Sequence, residues 1–142
     1  MTLLKTLLLT VSFSLCLVAC NGATPFGKKV AENDKILNFM KSDTSDSTYR
    51  TYKTIKNSKI FAEVALLLMK SDESNATVSM TRAPDRKISL VITRPTASVE
   101  PRIYGIWFMQ KSTQVAVVSE SSGGGYIQLN KEQSHTILSL LN

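Results

Sequence analysis

The sequence predicts an α+β fold. The expected architecture is an antiparallel sheet of four to five strands, within about residues 76–129, with two N-terminal helices and one C-terminal helix packed mainly on one face. Three observations support it. Apolar residues recur at helical spacing before residue 70 and after residue 130, and between these parts the chain alternates in period two or is apolar throughout. The predicted strands also follow one another through short turns, which favours antiparallel pairing.

The first predicted helix covers residues 29–40, and the polar, serine-rich run at 42–47 ends it as a surface loop. The apolar spacing of this segment is irregular but compatible with an amphipathic helix. Its larger apolar residues are Val30, Ile36, Leu37, Phe39 and Met40.

The second predicted helix covers residues 58–70, and Asn57 or Ser58 is placed to cap it. Residues 66–69 are apolar all round, so we expect this helix to be packed on more than one side. The stretch that precedes it, from residue 49, is open between two interpretations. Its apolar and aromatic residues recur at threes, as in a helix, but its threonines and tyrosines also favour a strand.

The first predicted hairpin joins residues 76–81 to residues 88–93. Apolar and polar residues alternate in both segments, and Ala83-Pro84-Asp85-Arg86 between them is typical of a turn. A register that gives the hairpin one apolar face places Val78 opposite Ile92 and Met80 opposite Leu90.

The second predicted hairpin joins residues 102–110 to residues 114–119. Both strands carry apolar side chains on both faces, a pattern typical of strands that are covered on both sides. The alternative is that helices cover only one face, which would leave an exposed apolar patch of the kind that contacts partners. The candidate residues of such a partner surface are Tyr104, Ile106, Trp107 and Phe108.

A short strand at 126–129 and a final helix complete the predicted fold. Three glycines at 123–125 break the chain before the strand. Asn130 begins the helix, and Gln133, three residues later, fits the pattern of a capping box. The inward stripe of this helix is expected to consist of Ile137, Leu138 and Leu141.

The N-terminus has the three parts of a secretory signal peptide. Lys5 supplies a positive charge, residues 7–18 are largely apolar, and small residues close the segment at Ala19 and Cys20. The apolar run is shorter than the ~20 residues that a permanent membrane-spanning helix needs.

Leu17-Val18-Ala19-Cys20 resembles the lipobox of bacterial lipoproteins. The resemblance implies that Cys20 is the lipid attachment site, that residues 1–19 are cleaved off together with Cys16, and that the anchor includes palmitate or a similar acyl chain. Asn21 is not the aspartate that retains lipoproteins in the inner membrane of enteric-type bacteria. The resemblance therefore implies a protein of the outer membrane, facing the periplasm, unless the host is Gram-positive and has no outer membrane.

The expected domain organisation follows from this N-terminus. Residues 1–19 form the signal peptide, residues 20–28 are the lipidated cysteine with a short tether, and residues 29–142 form a single α+β domain. The net charge is +6, without a run of five or six like charges. This distribution argues against a nucleic-acid-binding arm. It suits a solvated surface, or a mild attraction to anionic lipid headgroups or cell-wall polymers.

No pattern in the chain predicts catalysis. There is no G-x-S-x-G motif, no phosphate-binding loop and no clustering of histidine, cysteine or carboxylate residues. We therefore predict no catalytic residue, cofactor or metal site, and favour a non-enzymatic binding protein of the cell envelope with a protein partner, of the inhibitor or immunity, exclusion or assembly type.

Two alternatives from other functional classes remain open. One is a carrier of a small apolar ligand, with a pocket between sheet and helices lined by Phe61, Leu67, Trp107 and Tyr126. The other is a cell-wall hydrolase, which would need polar groups that converge on His135, the only histidine.

Overall fold

A computed structural model describes residues 34–43, 48–93, 99–109, 113–121 and 124–142. Over these ranges the chain forms a six-stranded antiparallel sheet in the order β2-β1-β3-β4-β5-β6, and two helices. The elements are β1 (Lys35–Ser42), β2 (Tyr49–Ile55), α1 (Ser58–Leu68), β3 (Arg86–Ile92), β4 (Arg102–Phe108), β5 (Val115–Ser119), β6 (Tyr126–Gln128) and α2 (Lys131–Leu141). The predicted α+β class with an antiparallel sheet is confirmed, although the sheet has six strands where four to five were expected.

The helix predicted at 29–40 is wrong over its described part, because β1 occupies residues 35–42. Leu37 and Phe39 are fully buried, while Asn38 between them is only half-buried. This alternation is the period of a strand. Residues 29–33 lie outside the described residues, as do the signal peptide and the tether predicted at 20–28.

The stretch from residue 49 is a strand, β2, which settles the two interpretations left open. It pairs antiparallel with β1, and a bulge interrupts the register between Phe39 and Met40. The helix predicted at 58–70 is confirmed as α1, and the Asn57 side chain caps it by accepting hydrogen bonds from the backbone N–H groups of Lys59 and Ile60, both at 3.0 Å.

The first predicted hairpin is wrong. The strand predicted at 88–93 is present as β3, at residues 86–92, but its neighbours in the sheet are β1 and β4, with Lys35 opposite Ile92 and Leu37 opposite Leu90. In the segment 76–81 the one strand-like pairing is a bridge between Thr77 and Gly125. The reason is that β1 offers β3 a long partner whose buried Leu37 and Phe39 extend the same apolar face, whereas Val78 is 44% exposed.

The second predicted hairpin is confirmed as β4 and β5, with Trp107 opposite Ala116 and Phe108 opposite Val115. The short strand β6 pairs with β5, also as expected. The capping box of the last helix is present, since the Asn130 side chain accepts from the backbone N–H of Gln133 at 2.9 Å and the Gln133 side chain accepts from that of Asn130 at 3.2 Å.

Both helices contribute to one apolar core on the same side of the sheet. Its buried members are Leu37, Phe39, Ile88, Leu90, Tyr104, Ile106, Val115 and Val117 from the strands, Phe61, Val64 and Leu68 from α1, and Leu129, Ile137 and Leu141 from the last segment.

Polar contacts fix both ends of α2 on this core. Near its start, the buried Ser134 hydroxyl accepts a 3.0 Å hydrogen bond from the Val115 N–H of β5. At its end, the Lys53 ammonium of β2 donates to the main-chain oxygens of Leu140 and Asn142 at 2.9 and 2.8 Å. A cation at this position also offsets the partial negative charge of a helix C-terminus. α2 therefore runs across the sheet from β5 to β2.

Candidate partner-binding site

The possible partner surface on the β4–β5 hairpin is not exposed. Tyr104 and Ile106 are fully buried in the core beneath the helices, Trp107 is 6% exposed, and Phe108 is half-buried. The burial of these residues does not support the alternative of an exposed apolar patch, and it agrees with the interpretation that the strands are covered on both faces.

Trp107 lies on the face of the sheet away from the helices, where the segment before β3 covers it. The indole N–H donates a 2.9 Å hydrogen bond to the carbonyl of Arg82. The ring lies over Gly105, where an added Cβ would be 2.6 Å from two ring carbons and 3.3 Å from Pro84 Cβ. Tyr49 fastens the same cover, because its hydroxyl donates to the Pro84 carbonyl at 2.5 Å.

The four residues expected to line a ligand pocket do not come together. Phe61 and Leu67 belong to the helices' side of the sheet. Tyr126 opposes Val118, which in turn opposes Gly105, so Tyr126 shares the opposite face with Trp107. One cavity between sheet and helices cannot have all four in its wall.

His135 is exposed on α2. Within the described ranges no group of three or more histidine, cysteine or carboxylate residues is placed to hold a metal ion. The helices of that part of the chain are also too short to cross a bilayer. Cys20 and Asn21, the predicted lipidation and sorting residues, lie outside the described residues.

The most exposed large apolar side chain in the described residues belongs to α1. Leu66 is 71% exposed, and Met69, which follows the helix, is 38% exposed. Together with the exposed Ala62 they are spaced four and three residues apart, so they lie along one side of the helix. We call these three residues the α1 stripe. The opposite side of α1 is buried through Phe61, Val64 and Leu68.

A groove of about 410 Å³ runs between the C-terminal half of α1 and the N-terminal half of α2. The α1 stripe borders it through Leu66, beside the half-buried Leu67. The other lining residues are polar or charged: Glu63, Lys70, Glu132, Gln133 and Thr136. Because the capping box holds Gln133 in place, the α2 wall of the groove is preformed. The groove therefore has a small apolar floor and a rim whose side chains carry both positive and negative charges.

The other two depressions described for the chain are more polar. One, of about 340 Å³, lies between the turn after α1 and the start of β6 and includes Asp72, Ser119 and Gly125. Its one carboxylate is already bound, since Asp72 accepts hydrogen bonds from Tyr104 and Arg102. The other, of about 610 Å³, lies at the start of β4 beside Glu100 and Glu120. Of these three depressions within the described residues, the groove is therefore the most apolar.

Sequence reasoning missed this site although its signal was visible. Residues 66–69 are apolar all round, and this pattern led to the expectation of a helix packed on more than one side. In the described structure the second side has no cover, so Leu66 faces solvent. An apolar helix face that the rest of the fold leaves uncovered is the feature that identifies the site.

Comparison of the chain with protein-family models, with curated proteins and with solved structures finds no match.

Proposed function

We propose that this chain is a lipid-anchored protein of the bacterial envelope that acts by binding another protein rather than by catalysis. The observation that carries the proposal is Leu66, 71% exposed at the edge of an apolar groove between two helices. An exposed apolar side chain at the edge of a groove, surrounded by a polar rim, is typical of protein interaction sites.

The shape and charge of the groove suit an amphipathic helix of the partner. Two helices form its walls, and a third helix can place apolar residues spaced three and four apart against Leu66 and Leu67. The rim carries Glu63 and Lys70, so the polar flanks of that helix are expected to carry charges of both signs. Inhibition or immunity, exclusion and envelope assembly all work through contacts of this type.

The anchor follows from the lipobox. Cys20 becomes a thioether to diacylglycerol, and Asn21 directs the protein to the outer membrane, where it faces the periplasm. Fourteen residue steps separate Cys20 from Asp34, the first described residue, so the domain stays within about 50 Å of the lipid even if this segment is fully extended.

A photo-crosslinking amino acid in place of Leu66 tests the proposal in the full-length lipidated protein, in envelopes of its own host. We expect one discrete protein adduct at this position and none when the same amino acid replaces Thr51, an exposed residue of β2. The Leu66→Glu variant should co-purify at least tenfold less of that partner, because it puts a charge on the apolar floor, whereas Thr51→Glu should retain it. No specific adduct at Leu66, or equal co-purification by both variants, contradicts the proposal.

A further inference from the structure

Three lysines lie at the corner of the domain where the described residues begin. Lys35 begins β1, the first strand described. Because Ile55 is opposite Leu37, the end of β2 lies beside the start of β1, and Lys56 follows it directly. Lys59 lies in the first turn of α1, and the Lys35 ammonium is 5.9 Å from the ring centre of Phe61 in that same turn. We call Lys35, Lys56 and Lys59 the basic corner.

The charges of the basic corner are available to a partner. Lys56 and Lys59 are exposed, and Lys35 is half-buried. Among the described residues, none of the three has a carboxylate within ion-pair distance. Asp34 lies next to Lys35, and Glu63 lies one turn after Lys59 on the same side of α1. The three lysines therefore retain an excess of one positive charge over these two carboxylates.

The groove extends to the other end of α1. Lys59 is in the first turn of the helix and Lys70 follows its end, so the two are about 16 Å apart along the axis at 1.5 Å per residue. The α1 stripe begins at Ala62 and the groove at Glu63, within about 6 Å of Lys59 along the axis, whereas Leu66 and Lys70 lie about 10 and 16 Å from it. A surface that contacts the basic corner therefore leaves Leu66 and Lys70 on its far side.

We propose that the basic corner lies on the anionic phospholipid surface to which Cys20 anchors the chain, and that this contact directs the α1–α2 groove away from the bilayer. The inference rests on the lipid anchor of the proposed function. Two observations support it: the chain enters the domain at this corner, within reach of the membrane, and the corner has the charge that attracts anionic headgroups. The anchor holds the protein at the membrane, and the basic corner sets its orientation.

Lysine accessibility on vesicles tests the orientation. The full-length lipidated protein is added to preformed vesicles of phosphatidylcholine, with or without phosphatidylglycerol, and treated with an amine-reactive reagent that does not cross membranes. We expect Lys56 and Lys59 to react about threefold more slowly on the anionic vesicles. A lysine attracted to anionic headgroups spends most of its time in contact with them, where the reagent does not reach it. Lys70 and Lys131, exposed near the groove, should react equally on both. Salt at about 0.5 M should remove the difference by screening.

Flotation of the same samples shows whether the protein is bound to the vesicles. It therefore distinguishes failure of the lipid anchor from failure of the proposed orientation. Flotation with both vesicle types but no difference at Lys56 and Lys59 overturns the inference and leaves the anchor standing. Flotation with neither type overturns the anchor and the inference together. Flotation with anionic vesicles alone, lost when Lys35, Lys56 and Lys59 are all changed to glutamine, supports the basic corner and counts against the lipid anchor.

Discussion

The Tyr104 hydroxyl donates a 2.7 Å hydrogen bond to Oδ2 of Asp72. Arg102 donates to the same oxygen at 3.1 Å, so one carboxylate ties β4 to the turn that follows α1. Burial raises the pKa of Tyr104 far above its usual range, and the bond to Asp72 raises it further. The phenol therefore stays protonated, and the bond persists throughout the pH range in which proteins are normally studied.

The Tyr104→Phe variant should be less stable by about 1–2 kcal/mol, because the bond to a charged acceptor is lost from a fully buried residue. Urea unfolding measures this change in the free energy of unfolding. The matched control is Tyr126→Phe, because the Tyr126 hydroxyl has no hydrogen-bond partner within the described part of the chain. Equal stability of the two variants contradicts a structural role for the Tyr104–Asp72 bond.

The Gly105→Ala variant should displace the indole of Trp107, because the new Cβ would lie 2.6 Å from two of its ring carbons. We expect a loss of about 1–3 kcal/mol from overpacking. Trp107 is the only tryptophan, so its fluorescence emission should shift to the red as the ring loses its cover. Gly124→Ala is the control. It also strains the fold, because Gly124 has a backbone φ of 53°, but it is remote from the indole, so the fluorescence emission should stay as in the wild type.

Asp85 should contribute to acid unfolding. Burial raises the pKa of its carboxyl, but hydrogen bonds from Arg82 at 2.7 Å and from the Phe108 N–H at 2.6 Å outweigh burial and leave the pKa below its ordinary value. A carboxyl with a lowered pKa in the folded state stabilises the fold above its unfolded pKa of about 3.9, and this contribution is lost as the pH falls through the folded value.

The free energy of unfolding of the wild type should therefore fall as the pH drops below about 4, and Asp85→Asn should fall less steeply. Arg82→Gln removes one of the stabilising donors and should flatten the same part of the curve. Urea unfolding across this pH range provides the measurement. Identical slopes for the wild type and Asp85→Asn would show that this carboxyl is not linked to folding.

Local patterns predicted the elements whose partners are close in sequence. β4, β5 and β6 follow one another along the chain and pair as expected, and α2 begins where its Asn130–Gln133 capping box predicts. These features depend on neighbouring residues alone, so the sequence contains the information needed to identify them.

The errors arose where pairing partners are distant in sequence. β1 has apolar residues on both faces. Leu37 and Phe39 are buried on one face, and Ile36 and Met40 are half-buried on the other, and this mixture resembles helical spacing. β3 joins β1 across about fifty residues instead of pairing with 76–81. A local alternation gives the face of a side chain but not its partner strand. For the same reason the cover over Trp107 could not be predicted, and the apolar pattern of residues 66–69 did not show that one side of α1 stays uncovered.

Asn21→Asp should move part of the protein from the outer to the inner membrane, because an aspartate after the lipidated cysteine retains lipoproteins there in enteric-type bacteria. Density-gradient fractionation of envelopes measures the distribution, with porins as the outer-membrane marker. Asn21→Gln is the matched control and should stay with the wild type. Wild-type protein that bands with the inner membrane contradicts the sorting prediction while leaving the anchor intact.

Metabolic labelling with a radioactive fatty acid tests the central claim, a lipid anchor at Cys20, most directly. The wild type and the Cys16→Ser variant should both incorporate the label, because the proposed cleavage removes Cys16 with the signal peptide. The Cys20→Ser variant should incorporate none, since a serine hydroxyl does not replace the thiol in the alkylation step. Label retained on Cys20→Ser, or absent from the wild type, contradicts the account.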